Sequence, residues 1–109
     1  MIYFIDFDGT ICPNDGDPPS AACRRVMRRL RECNNKIVIY SCRSNPACVD
    51  DHVRSTEEMV AYLEHWDIPY DLVEYGKPYF NFYIDDRNIG TPLDKNDNVD
   101  WDRIEKLLA

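Results

Sequence analysis

The feature that most restricts the fold is an alternation of short, continuously apolar segments with amphipathic ones. Residues 2–6 and 36–41 are apolar runs of strand length, a pattern typical of strands buried on both faces. Residues 71–75 and 80–84 predict two further strands, the first of them weaker. Strands that alternate with helices are joined by right-handed crossovers into a parallel sheet. The sequence therefore predicts an α/β fold, a Rossmann-like three-layer sandwich with a small parallel sheet.

Three amphipathic helices are expected between and after these strands. The first covers about residues 20–33, because Ser20 is a suitable N-cap and apolar side chains follow it at helical spacing. The second opens with the capping box Ser55-Thr-Glu-Glu58, in which serine and glutamate satisfy each other's exposed amides. The third covers about residues 100–108. A chain of 109 residues fits one domain, spanning residues 1–109.

Charge and apolar run length exclude several classes of partner. The net charge of −7 argues against general nucleic-acid binding, which needs a basic face to displace counterions. The apolar runs are too short to cross a bilayer, and the amino terminus has no secretory signal pattern. Five scattered cysteines form no CxxC pair and indicate reduced thiols. We therefore expect a cytoplasmic protein with no membrane partner.

One basic cluster stands out against the acidic total. Five arginines fall within the first predicted helix, where they could dock an acidic partner or form a solvated face balanced by acidic groups elsewhere. We favour the balanced surface. The five are Arg24, Arg25, Arg28, Arg29 and Arg31.

The segment Asp6-Phe7-Asp8-Gly9-Thr10 follows the first apolar run directly. Its two carboxylates can face one small cavity if the chain bends between them, and Gly9 permits such a bend. Two buried acids without partners would be very costly, so a cation is expected beside them. Asp85 and Asp86 follow the fourth predicted strand and add carboxylate oxygens. This ligand set suits magnesium.

The same residues have the chemistry for phosphoryl transfer. A carboxylate such as Asp6 can attack phosphorus, while a second one, Asp8, exchanges protons with the leaving oxygen and with water. Donors and positive charge must then stabilise the phosphoryl oxygens. Ser41, at the end of the second predicted strand, and Lys77 can supply them, and Arg43 could bind a second anionic group of a substrate.

These motifs resemble those of the haloacid dehalogenase-like phosphohydrolase superfamily. Asp6-Phe-Asp-Gly-Thr-Ile11 is similar to its first motif, and Ile37-Val-Ile-Tyr-Ser41 is similar to its second. Lys77-Pro78 resembles the third motif and Tyr83-Ile-Asp-Asp86 the fourth. The four occur in the family's order and at compatible spacing, so the resemblance covers nearly the whole chain.

The resemblance implies a role for each matching residue. The match to Asp6 is the nucleophile, and the match to Asp8 is the general acid and base. The matches to Ser41 and Lys77 bind the phosphoryl group. Asp6 and Asp85 would bind magnesium through their side chains and Asp8 through its backbone carbonyl, with Asp86 a less direct ligand.

Members of this superfamily often carry an inserted cap domain, for which this chain leaves little room. Residues 11–35 and 42–76 are largely used up by one predicted helix each. An open site cannot exclude water by closing its own lid. We therefore expect either a bulky phosphorylated substrate or a homo-oligomer in which a neighbouring subunit covers the site.

Three other functions use comparable residues. A phosphotransferase or a nucleic-acid-end phosphatase could use the same site. A non-catalytic phosphoacceptor or binding module, such as a receiver domain, also uses carboxylates, a hydroxyl group and a lysine. Receiver domains keep an acidic pair after the first strand and the phosphorylated aspartate after the third, whereas here the Asp-x-Asp unit opens the chain.

Overall fold

The computed structural model describes residues 1–14, 16–44, 56–74, 76–77, 85–88 and 90–108. Within them, strands and helices follow one another in the predicted order. The fourth predicted strand, residues 80–84, lies outside the described residues, as does Ser55 of the predicted capping box. The strands are β1 (Ile2–Ile5), β2 (Lys36–Tyr40) and β3 (Leu72–Glu74), and the helices are α1 (Ala21–Glu32), α2 (Thr56–His65) and α3 (Trp101–Leu107).

The three strands form a parallel sheet in the order β1-β2-β3. Phe4 is in register with Val38, which is in register with Leu72 on the other side. Helix α1 connects β1 to β2, and α2 lies between β2 and β3 in the chain. The predicted α/β sandwich with a small parallel sheet is therefore confirmed, and the described ranges contain no cap domain.

Helix α1 forms where its capping residue and apolar stripe predict it. The Ser20 hydroxyl accepts a hydrogen bond from the Cys23 backbone N–H at 3.0 Å, which satisfies a donor that the first turn leaves without a partner. Asn34, with φ 62°, takes the left-handed conformation that ends the helix. Burial raises the pKa of the Cys23 thiol to about 12, so Cys23 is a packing residue. The other buried residues of the stripe are Ala22, Val26, Met27 and Leu30.

The prediction that both apolar strands are buried on both faces is wrong for β1. Ile37, Val38 and Ile39 of β2 are all buried, but Ile2 and Phe4 of β1 are exposed. Strand β1 lies at the edge of the described sheet, where Phe4 packs edge-on against the ring of Tyr40 at a centroid distance of 5.4 Å. An apolar run does not reveal whether both faces of its strand will be covered.

The core draws on all three helices and on one face of the sheet. Met27 of α1, Leu63 of α2 and Ile104 of α3 join Ile37 and Ile39 in a single buried cluster. Helix α3 begins after its N-cap Asp100, whose side chain accepts from the Arg103 N–H. No helix of the described residues is long and apolar enough to cross a membrane.

Acidic or aromatic side chains of this chain contact three of the five arginines of α1. Arg25 forms two hydrogen bonds with Glu105 of α3, at 2.9 and 3.0 Å. Arg31 contacts Asp71 at 2.9 Å. Arg24 lies over the indole of Trp66, 5.8 Å from the ring centroid. Two of the five arginines, Arg25 and Arg31, thus pair with acidic groups of this chain.

Candidate active site

The loop that follows β1 holds both carboxylates of the first motif. The backbone N–H groups of Thr10 and Cys12 both donate to the carbonyl of Phe7, at 3.1 and 3.0 Å. The Gly9 N–H returns a bond to the Cys12 carbonyl at 2.9 Å. Gly9 has φ 77°, a left-handed conformation that glycine adopts without steric cost. The chain thus bends at Gly9, as the sequence predicts.

Asp6 lies at the carboxyl end of β1 between a cation and a hydroxyl group. Its Oδ1 is 2.8 Å from Nζ of Lys77, and its Oδ2 accepts a hydrogen bond from the Thr10 hydroxyl at 3.0 Å. The Lys77 ammonium also lies 5.7 Å from the centroid of the Tyr40 ring. Each carboxylate oxygen has a second lone pair, so Asp6 can still accept a further ligand.

Asp8 forms a bidentate ion pair with Arg43. The Arg43 Nε donates to Oδ2 at 2.8 Å, and Nη2 donates to Oδ1 at 2.6 Å. The guanidinium is nearly buried and stacks over Phe7, 4.9 Å from the ring centroid. Its burial lowers the pKa of Arg43, but the hydrogen bonds and charge of Asp8 more than offset this and leave that pKa above its ordinary value.

Ser41 connects the second strand to this pair. It is a fully buried polar residue immediately after β2, and its hydroxyl oxygen accepts a hydrogen bond from the Arg43 backbone N–H at 3.1 Å. The structure therefore brings five of the predicted residues into two contact groups. One group contains Asp6 and Lys77, and the other contains Asp8, Arg43 and Ser41.

Asp85 and Asp86 lie beyond a segment that the structure does not describe. Asp85 Oδ1 accepts a hydrogen bond from the Arg87 N–H at 2.9 Å. A hydrogen bond to Asp85 and repulsion by its charge raise the pKa of Asp86. In the described ranges no three His, Cys, Asp or Glu residues are grouped to hold a metal ion. The predicted magnesium cluster of Asp6, Asp8, Asp85 and Asp86 stays a prediction, and its oxygen-only donor chemistry fits that ion.

The residues that support the loop after β1 were not predicted from the sequence. The indole N–H of Trp101 donates to the Thr10 carbonyl at 2.8 Å, and the Val99 N–H donates to the Gly9 carbonyl at 2.9 Å. Trp101 falls within the third predicted helix, and nothing in the sequence singles it out. A tryptophan at the start of a helix gives no sign of which distant carbonyl it will bond.

A pair of asparagines extends this support. The Asn98 amide donates to Asn14 Oδ1 at 3.0 Å, and Asn98 Oδ1 accepts from the Asn14 backbone N–H at 3.3 Å. Asn98 is buried, and Asn14 is left-handed with φ 40°. We call the segment 98–101, which bonds to residues 9, 10 and 14, the C-terminal clamp. It fixes the backbone that follows both carboxylates.

Comparison with known proteins adds a structural likeness. The chain is similar to a crystal structure of a structural-genomics target from Vibrio cholerae, with a TM-score of 0.64 and 27% sequence identity over 81% of each chain. No protein-family model and no curated protein matches the chain. The likeness supports the α/β fold described above.

Proposed function

We propose that this chain is a magnesium-dependent phosphomonoester hydrolase of the haloacid dehalogenase-like superfamily. The observation that carries the proposal is that two neighbouring carboxylates, Asp6 and Asp8, have different partners. Asp6 is paired with Lys77 and Thr10, and Asp8 is paired with Arg43. A surface turn former would need neither a buried cation nor a hydroxyl donor, whereas a nucleophile and an acid need separate environments.

In the first step, an oxygen of Asp6 attacks the phosphorus of the substrate. A P–O bond to Asp6 forms while the bond to the leaving oxygen breaks, and that oxygen takes a proton from Asp8. Lys77 is 2.8 Å from Asp6, so its ammonium lies beside the group that becomes esterified. Ser41 and Lys77 would then stabilise the equatorial phosphoryl oxygens.

In the second step, water hydrolyses the aspartyl phosphate. Asp8, now a carboxylate, takes a proton from the water while the water oxygen bonds to phosphorus. The bond between phosphorus and Asp6 breaks, and Asp6 leaves as a carboxylate. Proton and electron pairs balance over the two steps, and the products are an alcohol and inorganic phosphate.

Asp6 and Asp85 would hold magnesium through their side chains and Asp8 through its backbone carbonyl, with Asp86 nearby. When bound, the ion supplies positive charge to the phosphoryl oxygens. Asp6 has lone pairs beyond those used by Lys77 and Thr10, and the mutual repulsion of Asp85 and Asp86 favours a cation beside them. The chemistry of the donors thus supports this choice of ion.

The proposed setting is the cytoplasm, with a phosphorylated molecule as substrate. Among the described cysteines, Cys12, Cys23, Cys33 and Cys42 are free, as expected of a reducing compartment. The described part of the chain offers no lid of its own. We therefore propose that a bulky substrate or a second copy of the chain covers the site.

The decisive experiment is a screen of the purified protein against diverse phosphomonoesters, with magnesium and with excess chelator. Wild-type protein should release phosphate only with magnesium, and Asp6→Asn should abolish turnover because an amide is a poor nucleophile and a poor ligand. Asp102→Asn, the same change at an exposed position of α3, is the matched control and should behave as wild type.

The metal assignment has its own measurement. Asp85→Ala should raise the magnesium concentration needed for half-maximal activity or remove activity entirely. Full wild-type activity in chelator would contradict the magnesium requirement. Turnover by Asp6→Asn, in a preparation free of other phosphatases, would rule out the nucleophile.

A further inference from the structure

The bidentate contact between Arg43 and Asp8 presents a problem for the acid role of Asp8. Both oxygens of the Asp8 carboxylate accept hydrogen bonds from the Arg43 guanidinium, a bidentate contact that a carboxylic acid cannot make. To donate a proton, Asp8 must leave Arg43. Its side chain is half exposed, so it has room to turn toward solvent.

Arg43 cannot follow Asp8. Its side chain is nearly buried, its guanidinium stacks on Phe7, and its backbone N–H is bonded to Ser41. A nearly buried guanidinium without an anion is costly because it loses charge-assisted hydrogen bonds and has little water to replace them. The charge of Glu58, which also raises the pKa of Arg43, would remain, but the two donors that Asp8 occupies would lose their acceptors unless another anion took its place.

We propose that the substrate supplies this anion: it carries a second anionic group, a carboxylate or a phosphate, close to the phosphoester that is cleaved. This inference rests on the proposed hydrolase function and names its substrate class. The second anion replaces Asp8 on the Arg43 guanidinium, and the released Asp8 side chain is then able to reach the leaving oxygen. Substrate binding and the release of Asp8 from Arg43 therefore take place in the same exchange.

The geometry of Arg43 suits such an exchange. The Phe7 ring restricts the plane of the guanidinium. The hydrogen bond from the Arg43 backbone N–H to Ser41 places the Arg43 backbone beside the hydroxyl that is predicted to bind the phosphoryl group. Nε and Nη2 form a planar pair of donors that matches a carboxylate or two phosphate oxygens. A lysine could not present two donors in this way.

The test compares aryl phosphates that differ in one charge. Three carboxyphenyl phosphates, with the carboxylate ortho, meta or para to the ester, are paired with the uncharged carbamoylphenyl phosphates of the same geometry. In wild type with magnesium, at least one carboxylate ester should have a kcat/KM about tenfold or more above its carbamoyl partner, as expected for charge-assisted bonds. In Arg43→Gln this ratio should fall to about one.

Two further variants sharpen the result. Arg43→Lys keeps the charge but loses the paired donors, so its ratio should lie between those of wild type and Arg43→Gln, with circular dichroism to confirm folding. Arg25→Gln removes an arginine whose ion pair lies on α1 and α3, and it should keep the wild-type ratio.

The possible failures are distinguishable. Wild-type activity with equal kcat/KM for every pair of esters would overturn this inference and leave the hydrolase proposal standing. A preference that survives in Arg43→Gln would overturn the assignment of Arg43. Absence of wild-type activity toward all six esters and the wider screen would overturn the hydrolase proposal and this inference together. The wild-type comparison needs no variant, so a misfolded substitution does not block the test.

Discussion

The ion pairs at the carboxyl edge of the sheet and those beside α1 are built in opposite ways. At the sheet edge the cations Lys77 and Arg43 are 14% and 8% exposed, and their carboxylates are 35% and 51% exposed. Beside α1 the cations are 51% and 41% exposed, and the carboxylates are the more buried members at 23% and 33%. The α1 pairs are Arg25–Glu105 and Arg31–Asp71.

This inversion supports a distinction between a proposed reactive surface at the carboxyl edge of the sheet and a stabilising surface beside α1. At the sheet edge the acids face solvent with a cation behind them, which is the orientation that a carboxylate acting on a ligand requires. Beside α1 the arginines face solvent, and Asp71 also accepts a hydrogen bond from the Ile37 backbone N–H. Exposed pairs of this kind have small energetic value.

The largest loss of activity is expected from a substitution at the carboxyl ends of the strands. Asp8→Asn should lower kcat on esters with poor leaving groups by about a hundredfold to ten-thousandfold, the usual contribution of a general acid and base. The loss should be smaller on activated aryl esters, which need less protonation. Measured kcat values for one leaving-group series would decide the point. Wild-type rates on a poor leaving group would show that Asp8 does not hold this role.

An intermediate effect is expected at the C-terminal clamp, which supports the reactive surface without belonging to it. Trp101→Phe keeps an aromatic ring but removes the N–H that bonds the Thr10 carbonyl. The free energy of unfolding should fall by about 1 kcal/mol or more, the cost of leaving a partly buried acceptor without its partner. Urea denaturation measures the change.

Trp66→Phe makes the same chemical change beyond the end of α2 and serves as the control. It should lower the free energy of unfolding less than Trp101→Phe. Equal losses in the two variants would mean that the bond to Thr10 adds nothing to ring packing.

A smaller, pH-dependent effect is expected at Asp71, which belongs to the stabilising surface. The hydrogen bond from the Ile37 backbone N–H, at 2.7 Å, and then the contact with Arg31 lower the pKa of Asp71. A carboxyl group whose folded pKa is lowered stabilises the protein above its unfolded pKa of about 4, and this contribution is lost as the pH falls through the folded value.

Asp71→Asn should therefore be less stable than wild type near neutral pH, and the difference should shrink as the pH falls below about 4. Urea midpoints from neutral to acidic pH provide the measurement. A difference that stays constant with pH would show that the Asp71 charge contributes nothing.

The smallest effect is expected at Arg25. Replacing it with glutamine breaks an exposed pair with Glu105, and such pairs contribute little because water and salt screen them. Thermal unfolding of Arg25→Gln should nearly coincide with that of wild type, most closely at high salt. A large loss of stability would contradict the distinction between the ion pairs beside α1 and those at the carboxyl edge of the sheet.

The elements and positions that local patterns control were predictable from the sequence. Ser20 and the apolar spacing behind it specify α1, and the polar residues that follow β1 and β2 indicate one edge of the sheet. Such patterns involve neighbours in the chain, whose geometry the backbone fixes. The predictions of Asp8 and Arg43 as site residues depended on this logic.

Contacts between distant residues were not predictable. Nothing in the sequence indicates that the Arg43 guanidinium donates two hydrogen bonds to Asp8. Nor does it indicate that the Trp101 indole donates to the Thr10 carbonyl. Each contact depends on how packed elements meet, and several arginines and two tryptophans offer the same donors. The exposure of Phe4 was missed for the same reason, because it depends on what lies across the sheet.

The C-terminal clamp has a consequence for the order in which the protein completes the loop after β1 during synthesis. The bonds from Val99 and Trp101 reach back to Gly9 and Thr10, which leave the ribosome about ninety residues earlier. The nascent chain carries the Asp6 motif from the start but cannot complete its support until the clamp emerges. A ribosome that stalls before residue 99 would therefore hold a chain with its carboxylates on an unsupported loop.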